Sequence, residues 1–254
     1  VVLTTVIIPN SKYNNAINLI EEEKYVEAYE TLREIEGYKD SVDKMQKIRE
    51  EYIEERFGST EVGDTIKFGS YEQDNDTNNG KENIEWLVLE KQQNKVFVIS
   101  KYGLDRKEYN DEEESVTWEN CTLRSWLNDE FIETAFSKDE QKLVAESQLK
   151  NADNSEYDTD GGKDTLDKVF LLSLDEAEEY FSSDNARLCE PTEYAKAQDA
   201  GVNKNGYCWW WLRTPGNTNF NAAAVDAGGI VYAYGTFVFS YSGTIRPALW
   251  INLK

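Results

Sequence analysis

The stretch YCWWWLRTPG, residues 207–216, places three tryptophans in succession ahead of a leucine and an arginine. Successive side chains of a β-strand point to opposite faces, so Trp210 would face away from Trp209 and Trp211. The pattern predicts a β-strand over 207–213. Similar apolar runs predict further strands at 65–68, 84–89, 96–100, 169–172, 222–226, 230–234 and 245–252.

Helical patterns occupy the middle of the chain. Leu123–Ala135 places its large apolar side chains on one helical face. Ser137 and Ser173 each precede a glutamate by three residues, which is the pattern of a capping box at the start of a helix. A last helix is predicted at 192–200, ended by Gly201. Helices in the middle and strands at both ends predict an α+β fold rather than alternating βαβ units.

The C-terminal segment, residues 207–254, differs from the rest of the chain in charge and in aromatic content. It contains one acid, Asp226, and three bases, whereas the whole chain carries 27 Lys and Arg against 49 Asp and Glu, a net charge of −22. The same segment holds 11 aromatic residues, more than a core of this size accommodates. We therefore expect part of this segment to form a recognition surface.

Composition excludes several classes of function. The strong negative charge argues against nucleic acid or an anionic membrane surface as a partner. The chain has no histidine, which removes Ser-His-Asp and Cys-His catalysis and the usual zinc sites. No local motif singles out a carboxylate pair among the 49 acids, so we expect no catalytic residues. Three cysteines are too few for a disulfide scaffold, although one pair could form in an oxidising compartment.

The first eight residues, VVLTTVII, are apolar and uncharged, and Pro9 and Asn10 follow them. Eight residues cannot span a bilayer, which needs about 20. Because the chain begins with Val, we interpret residues 1–10 as the outer end of a removed membrane anchor, or as a linker. The alternative is an ordinary leading strand. The anchor would place the protein outside the cytoplasm, at the cell surface.

Residues 11–58 show helical periodicity. Ser11 suits the N-cap of a first helix, Gly37 ends a second, and a third runs from about Ser41 through Tyr52. The pair of short helices resembles one tetratricopeptide-like repeat. A single repeat cannot bury its apolar face alone, which implies a stalk or packing module rather than a peptide groove. The alternative is a single bent helical arm.

Several motifs resemble a large family of uncharacterised domains from Firmicutes, many of them secreted or membrane-anchored. The motifs are Phe68–Gln73, Ile84–Leu89, Leu123–Asn128, Asp167–Ser173, Cys208–Gly216, Ala222–Asp226 with Gly228 and Gly229, and Gly243–Ile251. They span about residues 62 to 253. We expect one domain over 62–254 that folds without the preceding helices.

This family is similar to the C-type-lectin-like fold, in the branch of formylglycine-generating enzymes and retroelement-diversified receptors. The resemblance implies that Asp64–Phe68 pairs near Leu249–Leu253, that Trp209–Arg213 is a central strand, and that residues 214–242 build an exposed face. Formylglycine-generating chemistry needs a reactive cysteine pair that binds copper. Cys189 and Cys208 are the nearby pair, but a cysteine beside three tryptophans is usually buried and inert.

The polar loop 151–164 is a candidate Ca²⁺ site, because it is dense in side-chain oxygens and contains two glycines. The candidate ligands are Asp153, Asp158 and Asp160. The loop lacks the spacing of an EF-hand. The alternative is a solvated loop of Asx turns, and residues 74–76 are a weaker second candidate.

The expected ligand-binding residues lie between Pro215 and Gly243, where large rings alternate with small residues. They are Asn219, Phe220, Tyr232, Tyr234, Phe237 and Tyr241. We expect them to line one exposed surface that binds a glycan, peptide or protein. The alternatives are a structural extracytoplasmic domain without a ligand, in which the rings alternate into the core, and an unidentified enzyme.

Four tryptophans in periodic apolar runs are expected to be mainly buried: Trp86, Trp126, Trp210 and Trp250. Arg213 and Arg246 are expected to be buried at strand ends, tied to carbonyl oxygens or to a carboxylate such as Asp226, rather than to bind a ligand.

Overall fold

The computed structural model describes the backbone of residues 2–254 and the side chains of residues 8–254. The chain divides into two compact units. One comprises Val1–Glu61 with Leu253–Lys254, and the other comprises Val62–Asn252. Together they form the α+β protein that the strand and helix patterns predict, with a helical segment at the N-terminus.

The first unit consists of four helices: α1 (Val2–Glu21), α2 (Tyr25–Arg33), α3 (Ser41–Lys47) and α4 (Arg49–Phe57). Their apolar faces meet in a small core, where the rings of Tyr29 and Tyr52 stack with centroids 4.1 Å apart. Leu32 and Phe57 are fully buried beside them. The core formed by these helices is what their 3.6-residue periodicity predicts.

Two expectations for this unit are corrected. Helix α1 begins at Val2 and includes Pro9, so Ser11 lies inside the helix and does not cap it. The predicted third helix is two helices, because the backbone leaves the helical conformation at Ile48. The expected anchor or linker covers residues 1–10, of which Val1 and the side chains of residues 2–7 lie outside the described part. Among the described residues, none of the helices is both long and apolar enough to cross a bilayer.

The second unit contains two five-stranded sheets. The first has the strand order β1-β2-β3-β12-β7, formed by β1 (Thr65–Tyr71), β2 (Glu82–Gln92), β3 (Lys95–Ser100), β12 (Ala248–Asn252) and β7 (Val169–Phe170). The expected pairing of the first and last strands is wrong. Strand β12 lies in the same sheet as β1, but β2 and β3 lie between them, and β12 pairs with β3 and β7.

The second sheet has the strand order β10-β9-β8-β11-β4. Its strands are β4 (Asp105–Arg106), β8 (Trp210–Pro215), β9 (Asn221–Val225), β10 (Val231–Phe237) and β11 (Thr244–Ile245). The tryptophan-rich strand β8 is central, as predicted, and all six of its residues are buried. Strand β10 lies at the edge of this sheet, and its side chains alternate between exposed or partly exposed positions and buried ones over Tyr232–Thr236.

Short helices connect the sheets. They are α5 (Thr122–Trp126), which continues through a π-helical turn (Leu127–Phe131) into α6 (Ile132–Ala135), then α7 (Lys138–Gln141), α8 (Leu174–Tyr180), α9 (Asp184–Arg187) and α10 (Glu193–Ala197). Both predicted capping boxes form, with Ser137 bonded to Glu140 and Ser173 to Glu176. Strands β5 (Ser147–Leu149) and β6 (Thr165–Asp167) pair separately and flank the polar loop 151–164.

The tryptophans that were expected in the core lie there. Trp86 and Trp210 are fully buried, and the Trp86 indole donates to the Phe68 carbonyl at 2.7 Å. Trp126 and Trp250 are partly buried, and Trp250 stacks on Phe97 at 5.0 Å. The four indole rings therefore contribute buried or partly buried apolar area to the core of the second unit.

Candidate functional site

Strand β10 presents a row of exposed rings. Tyr232 and Tyr234 are 47% and 46% exposed, while Ala233 between them is 6% exposed. The two rings lie 6.0 Å apart. The alternation follows from strand geometry: the small residue packs inward and the large residues face solvent. Burying a ring of this size would remove about 150–250 Å² from water. The two exposed tyrosines therefore leave a large contact area open to a ligand.

The backbone at the end of this strand is shaped by glycine. Gly235 has a φ of +76°, and a Cβ there would lie 2.5 Å from the Ala222 carbonyl oxygen. The pairing between β10 and β9 is irregular between Tyr232 and Thr236, where extra residues bulge from β10. Only glycine accommodates both the positive φ and the close backbone contact. Phe237 follows the bulge in the chain, and its side chain is exposed.

The polar loop 151–164 adds a third ring, Tyr157, beside the middle of β10. Tyr157 is exposed and meets Tyr234 edge-on, with ring centroids 5.7 Å apart. The loop is held by the buried Asn154, whose Nδ2 donates to the carbonyls of Pro215 and Ala233, both at 2.8 Å. The sequence pattern indicates this loop only as a candidate Ca²⁺ site or a loop of Asx turns, and it does not single out Asn154 or Tyr157.

The other predicted rings lie outside this cluster: Phe237 ends β10, Phe220 precedes β9, and Tyr241 lies beside Arg106 of β4, at the opposite edge of the sheet. Phe237 is exposed and stacks against Phe239 at 5.4 Å. Tyr241 is 67% exposed, with the Arg106 guanidinium 5.6 Å from its ring centroid. Phe220, just ahead of β9, is also exposed. We call the exposed rings the aromatic face: Tyr157, Phe220, Tyr232, Tyr234, Phe237 and Tyr241.

Asn219 is placed differently from the rings. Its side chain is partly buried, and its Nδ2 donates to the Asp160 carbonyl at 2.8 Å. Its own carbonyl accepts the Val116 amide at 2.9 Å. The residue therefore ties the loop before β9 to the polar loop 151–164 and supports the aromatic face from behind.

The carboxylates of Asp153, Asp158 and Asp160 are not brought together. Asp153 accepts the Gly161 amide and Asp160 accepts the Gly162 amide, both at 2.9 Å, so two of the three carboxylates serve loop turns. The Asp160–Gly162 bond is an Asx turn, as the alternative expects, whereas the Asp153–Gly161 bond closes a longer stretch of the loop. Within the described residues, the group of three acids close enough for one cation lies elsewhere.

That group is Glu72, Asp74 and Glu82, whose carboxylate oxygens lie within 4.8 Å of one another. It includes one residue of the weaker second candidate, 74–76. Burial and the charges of Glu82 and Asp74 raise the pKa of Glu72 above its ordinary value. Glu82 accepts the amides of Gln73 and Asp74, which folds the loop around it. These contacts give the cluster a structural role in the loop.

Arg213 and Arg246, the two arginines of the C-terminal segment, have structural roles. Arg213 is buried and forms a two-point ion pair with Glu176, with Nη2 to Oε1 at 2.8 Å, and also donates to the Leu171 carbonyl. Arg246 is buried and donates to the Ser100 carbonyl at 2.9 Å. Their expected burial is confirmed, but the carboxylate partner is Glu176. Asp226 instead closes the turn between β9 and β10.

A cleft of about 650 Å³ lies along the first sheet, lined in part by Phe97, Tyr180, Arg213 and Trp250. Several of its side chains have partners within the domain: Arg213 binds Glu176, and the Tyr180 hydroxyl donates to Glu90 at 2.7 Å. The Lys95 ammonium covers the Trp250 ring at 4.1 Å. None of the predicted ligand-binding residues, all within the described range 8–254, lines this cleft.

The fold and this surface define a mixed α+β domain that carries an exposed aromatic edge strand. Residues 93–253, more than half of the chain, match the family described as a domain of unknown function (DUF6273). The chain belongs to this family. No curated protein and no solved structure matches it significantly.

Proposed function

We propose that this protein is a recognition module and that its aromatic face binds a polypeptide ligand. The observation that carries the proposal is the set of six large rings of the aromatic face, 41–67% exposed, three of which lie on β10. Tyrosine and phenylalanine contribute large contact areas at low cost in side-chain entropy, and they dominate binding energy at interfaces. Exposed apolar groups on this scale are typical of interaction sites.

The composition around the rings supports this function. Asn217, Asn219, Ser240 and Ser242 lie between the aromatic residues in the chain. Tyrosine with asparagine, serine and glycine is the composition of protein-binding loops, in which rigid rings supply contact area and small polar groups supply adaptable hydrogen bonds. The segment 207–254 has a single acid, so a partner would meet little charge repulsion there.

The rings are also held in place before any ligand binds. The buried amide of Asn154 joins the backbone segments at Pro215 and Ala233 to the loop that carries Tyr157, and β10 pairs with β9 at both of its ends, on either side of the bulge. A surface that is ordered in advance loses less entropy on binding.

Ring geometry favours a polypeptide over a glycan. Stacking on a sugar needs a free, flat ring face. Here Tyr157 stands at 90° to Tyr234, and Phe237 and Phe239 stack on each other at 26°. Because several of these rings already contact one another, they leave fewer free faces for stacking on a pyranose, and we propose that they contact the side chains of a polypeptide instead.

Location at the cell surface is the second part of the proposal, and it rests on the apolar residues 1–8 alone. Fractionation of cells that express the full-length gene product tests it: protein in the membrane fraction, accessible to added protease in intact cells, supports the proposal. Protein confined to the cytosolic fraction refutes it.

A displayed library of random peptides, selected on the immobilised protein, tests the binding function. Selected peptides should lose at least tenfold in affinity for the Tyr232→Ala, Tyr234→Ala variant, because that change removes two adjacent anchors. The matched control is Leu166→Ala, which truncates an exposed apolar side chain, 55% exposed, on β6. The control should bind normally, and both variants should keep the wild-type melting temperature.

A glycan array on the same three proteins separates the ligand classes. Glycan binding that is lost in the tyrosine variant, with no peptide selected, would overturn the polypeptide assignment while keeping the surface. Peptides that bind the tyrosine variant as tightly as the wild type would overturn the aromatic face as the binding site.

A further inference from the structure

Two of the three cysteines lie directly opposite each other. Cys189 and Cys208 form an antiparallel β-bridge, in which the Cys208 amide donates to the Cys189 carbonyl at 2.9 Å. The Cys208 thiol approaches the same oxygen at 3.3 Å. Opposed residues of this hydrogen-bonded type have Cα atoms about 5.5 Å apart, which lies inside the range of about 4.4–6.8 Å that a disulfide spans. The backbone therefore already holds the two residues at a bridging distance.

The two cysteine side chains are closely packed in the interior of the domain. Both cysteines are 1% exposed. A Cβ on Gly103 would lie 3.0 Å from the Cys208 sulfur, so the absence of a side chain at Gly103 makes space for the thiol. Close packing of this kind keeps the sulfur atoms near each other and excludes water from them.

A buried positive charge lies beside the pair. Arg246 is 3% exposed, and its Nη1 has no hydrogen-bond partner in the described part of the chain. Burial alone would raise the pKa of Cys189, but the hydrogen bond with Cys208 and the charge of Arg246 outweigh it and place that pKa below its ordinary value. The pKa of Cys208 is raised by the same hydrogen bond and by burial. Cys189 is thus the thiol that ionises first.

We propose that Cys189 and Cys208 form a reversible disulfide when the chain folds in the presence of a small disulfide such as oxidised glutathione. The Cys189 thiolate attacks one sulfur of oxidised glutathione, which forms a mixed disulfide and releases one glutathione thiolate. Cys208 loses its proton and attacks the Cys189 sulfur, which forms the Cys189–Cys208 bond and releases the second glutathione. The two protein thiols lose two electrons and two protons, and glutathione disulfide gains them.

The bond would close a loop that contains α10 and would fasten that loop to the start of β8. Gly201 in this loop donates to the Ser242 carbonyl, next to Tyr241 of the aromatic face. Closing a loop of this size restricts the unfolded chain, so we expect the oxidised protein to melt about 6–12 °C higher than the reduced protein. Because Arg246 also stabilises the thiolate of the reduced state, the bond should reopen with excess reduced glutathione.

The third cysteine is the internal control. Cys121 is buried near Tyr109, and its thiol approaches the Trp118 carbonyl at 3.6 Å. Burial raises the pKa of Cys121 to about 12, so its thiolate is scarce at neutral pH. It should remain free in both redox states.

The test is refolding of the full chain in mixed oxidised and reduced glutathione, followed by alkylation in denaturant and mass spectrometry. We expect one alkylated thiol per chain after refolding and three alkylated thiols after reduction. Before alkylation, the refolded protein should be lighter than the reduced protein by two hydrogen atoms. Digestion of the refolded protein should yield a peptide that links Cys189 to Cys208. Three free thiols after refolding, or a link that involves Cys121, would refute the proposal. In the Cys189→Ala, Cys208→Ala variant the melting temperature should not respond to reductant; if that variant does not fold, the mass measurement on the wild type decides alone.

Discussion

The buried amide of Asn154 offers a sharp test of how the aromatic face is supported. Its Nδ2 donates to Pro215 and Ala233 at 2.8 Å and approaches the Gly216 carbonyl at 3.3 Å. Asn154→Ala removes these bonds and leaves two or three buried carbonyls without a donor. Each unsatisfied buried group costs about 1–3 kcal/mol, part of which relaxation recovers, so we expect a loss of about 2–4 kcal/mol in the free energy of unfolding.

Urea unfolding monitored by tryptophan fluorescence measures this loss, and calorimetry should show a melting temperature roughly 5–15 °C lower. Asn205→Ala is the matched control, because Asn205 is exposed and the change should stay within about 0.5 kcal/mol. Peptide binding should also weaken in the Asn154 variant under conditions where it stays folded, since Tyr157 would no longer be held against Tyr234.

Asn154→Asp separates hydrogen bonding from packing. The aspartate has the same shape, but it replaces a donor with an acceptor that faces carbonyl oxygens, so it should be at least as destabilising as alanine. An aspartate variant of wild-type stability, or an alanine variant no less stable than the Asn205 control, would refute the assignment of Asn154 as the tie between these segments.

Three further predictions concern stability. Trp210→Ala should cost about 3–5 kcal/mol in urea unfolding, because a fully buried indole on the central strand is removed; a loss below 1 kcal/mol would contradict the core assignment. Burial raises the pKa of Asp105, which accepts the Tyr71 hydroxyl at 2.7 Å, so the folded state binds a proton more readily than the unfolded state. Protonation of Asp105 should therefore increase the free energy of unfolding as the pH falls through the raised pKa towards about 3.9. The Asp105→Asn variant cannot titrate at this position, so its melting temperature should show no such increase across this pH range. An identical pH response in both proteins would contradict the prediction. Residues 62–254 expressed alone should unfold in one cooperative thermal transition, whereas a broad transition without near-ultraviolet dichroism would show that the helices are needed.

The sequence predicted correctly those features that depend on residues close together in the chain. The alternation of rings and small residues placed Tyr232 and Tyr234 on one side of a strand, and both side chains are exposed. Serine followed by glutamate at the third position predicted two capping boxes, and both form. The burial of Trp210 followed from an apolar run. These features need only strand or helix geometry and a hydrophobic core.

Features that depend on distant residues were missed or wrong. Nothing local in β1 specifies which strand lies beside it, and β2 and β3 separate it from β12. Asn154 bonds to carbonyls 61 to 79 residues away, which no spacing within its loop could indicate. The acids of that loop resembled a metal site because cation ligands and Asx turns use the same side chains. Only the fold shows that backbone amides already occupy two of these carboxylates.

The charge distribution opposes association between copies of the protein through their exposed rings. Exposed rings favour association between copies, since each contact would remove apolar surface from water. The net charge of −22 opposes that association by repulsion between copies, while the segment 207–254 itself carries a net +2, so the acids all but one precede it in the chain. A partner with a neutral or basic surface would meet no such repulsion. The acidic remainder of the chain thus opposes self-association, which supports the proposal that the aromatic face binds a different partner.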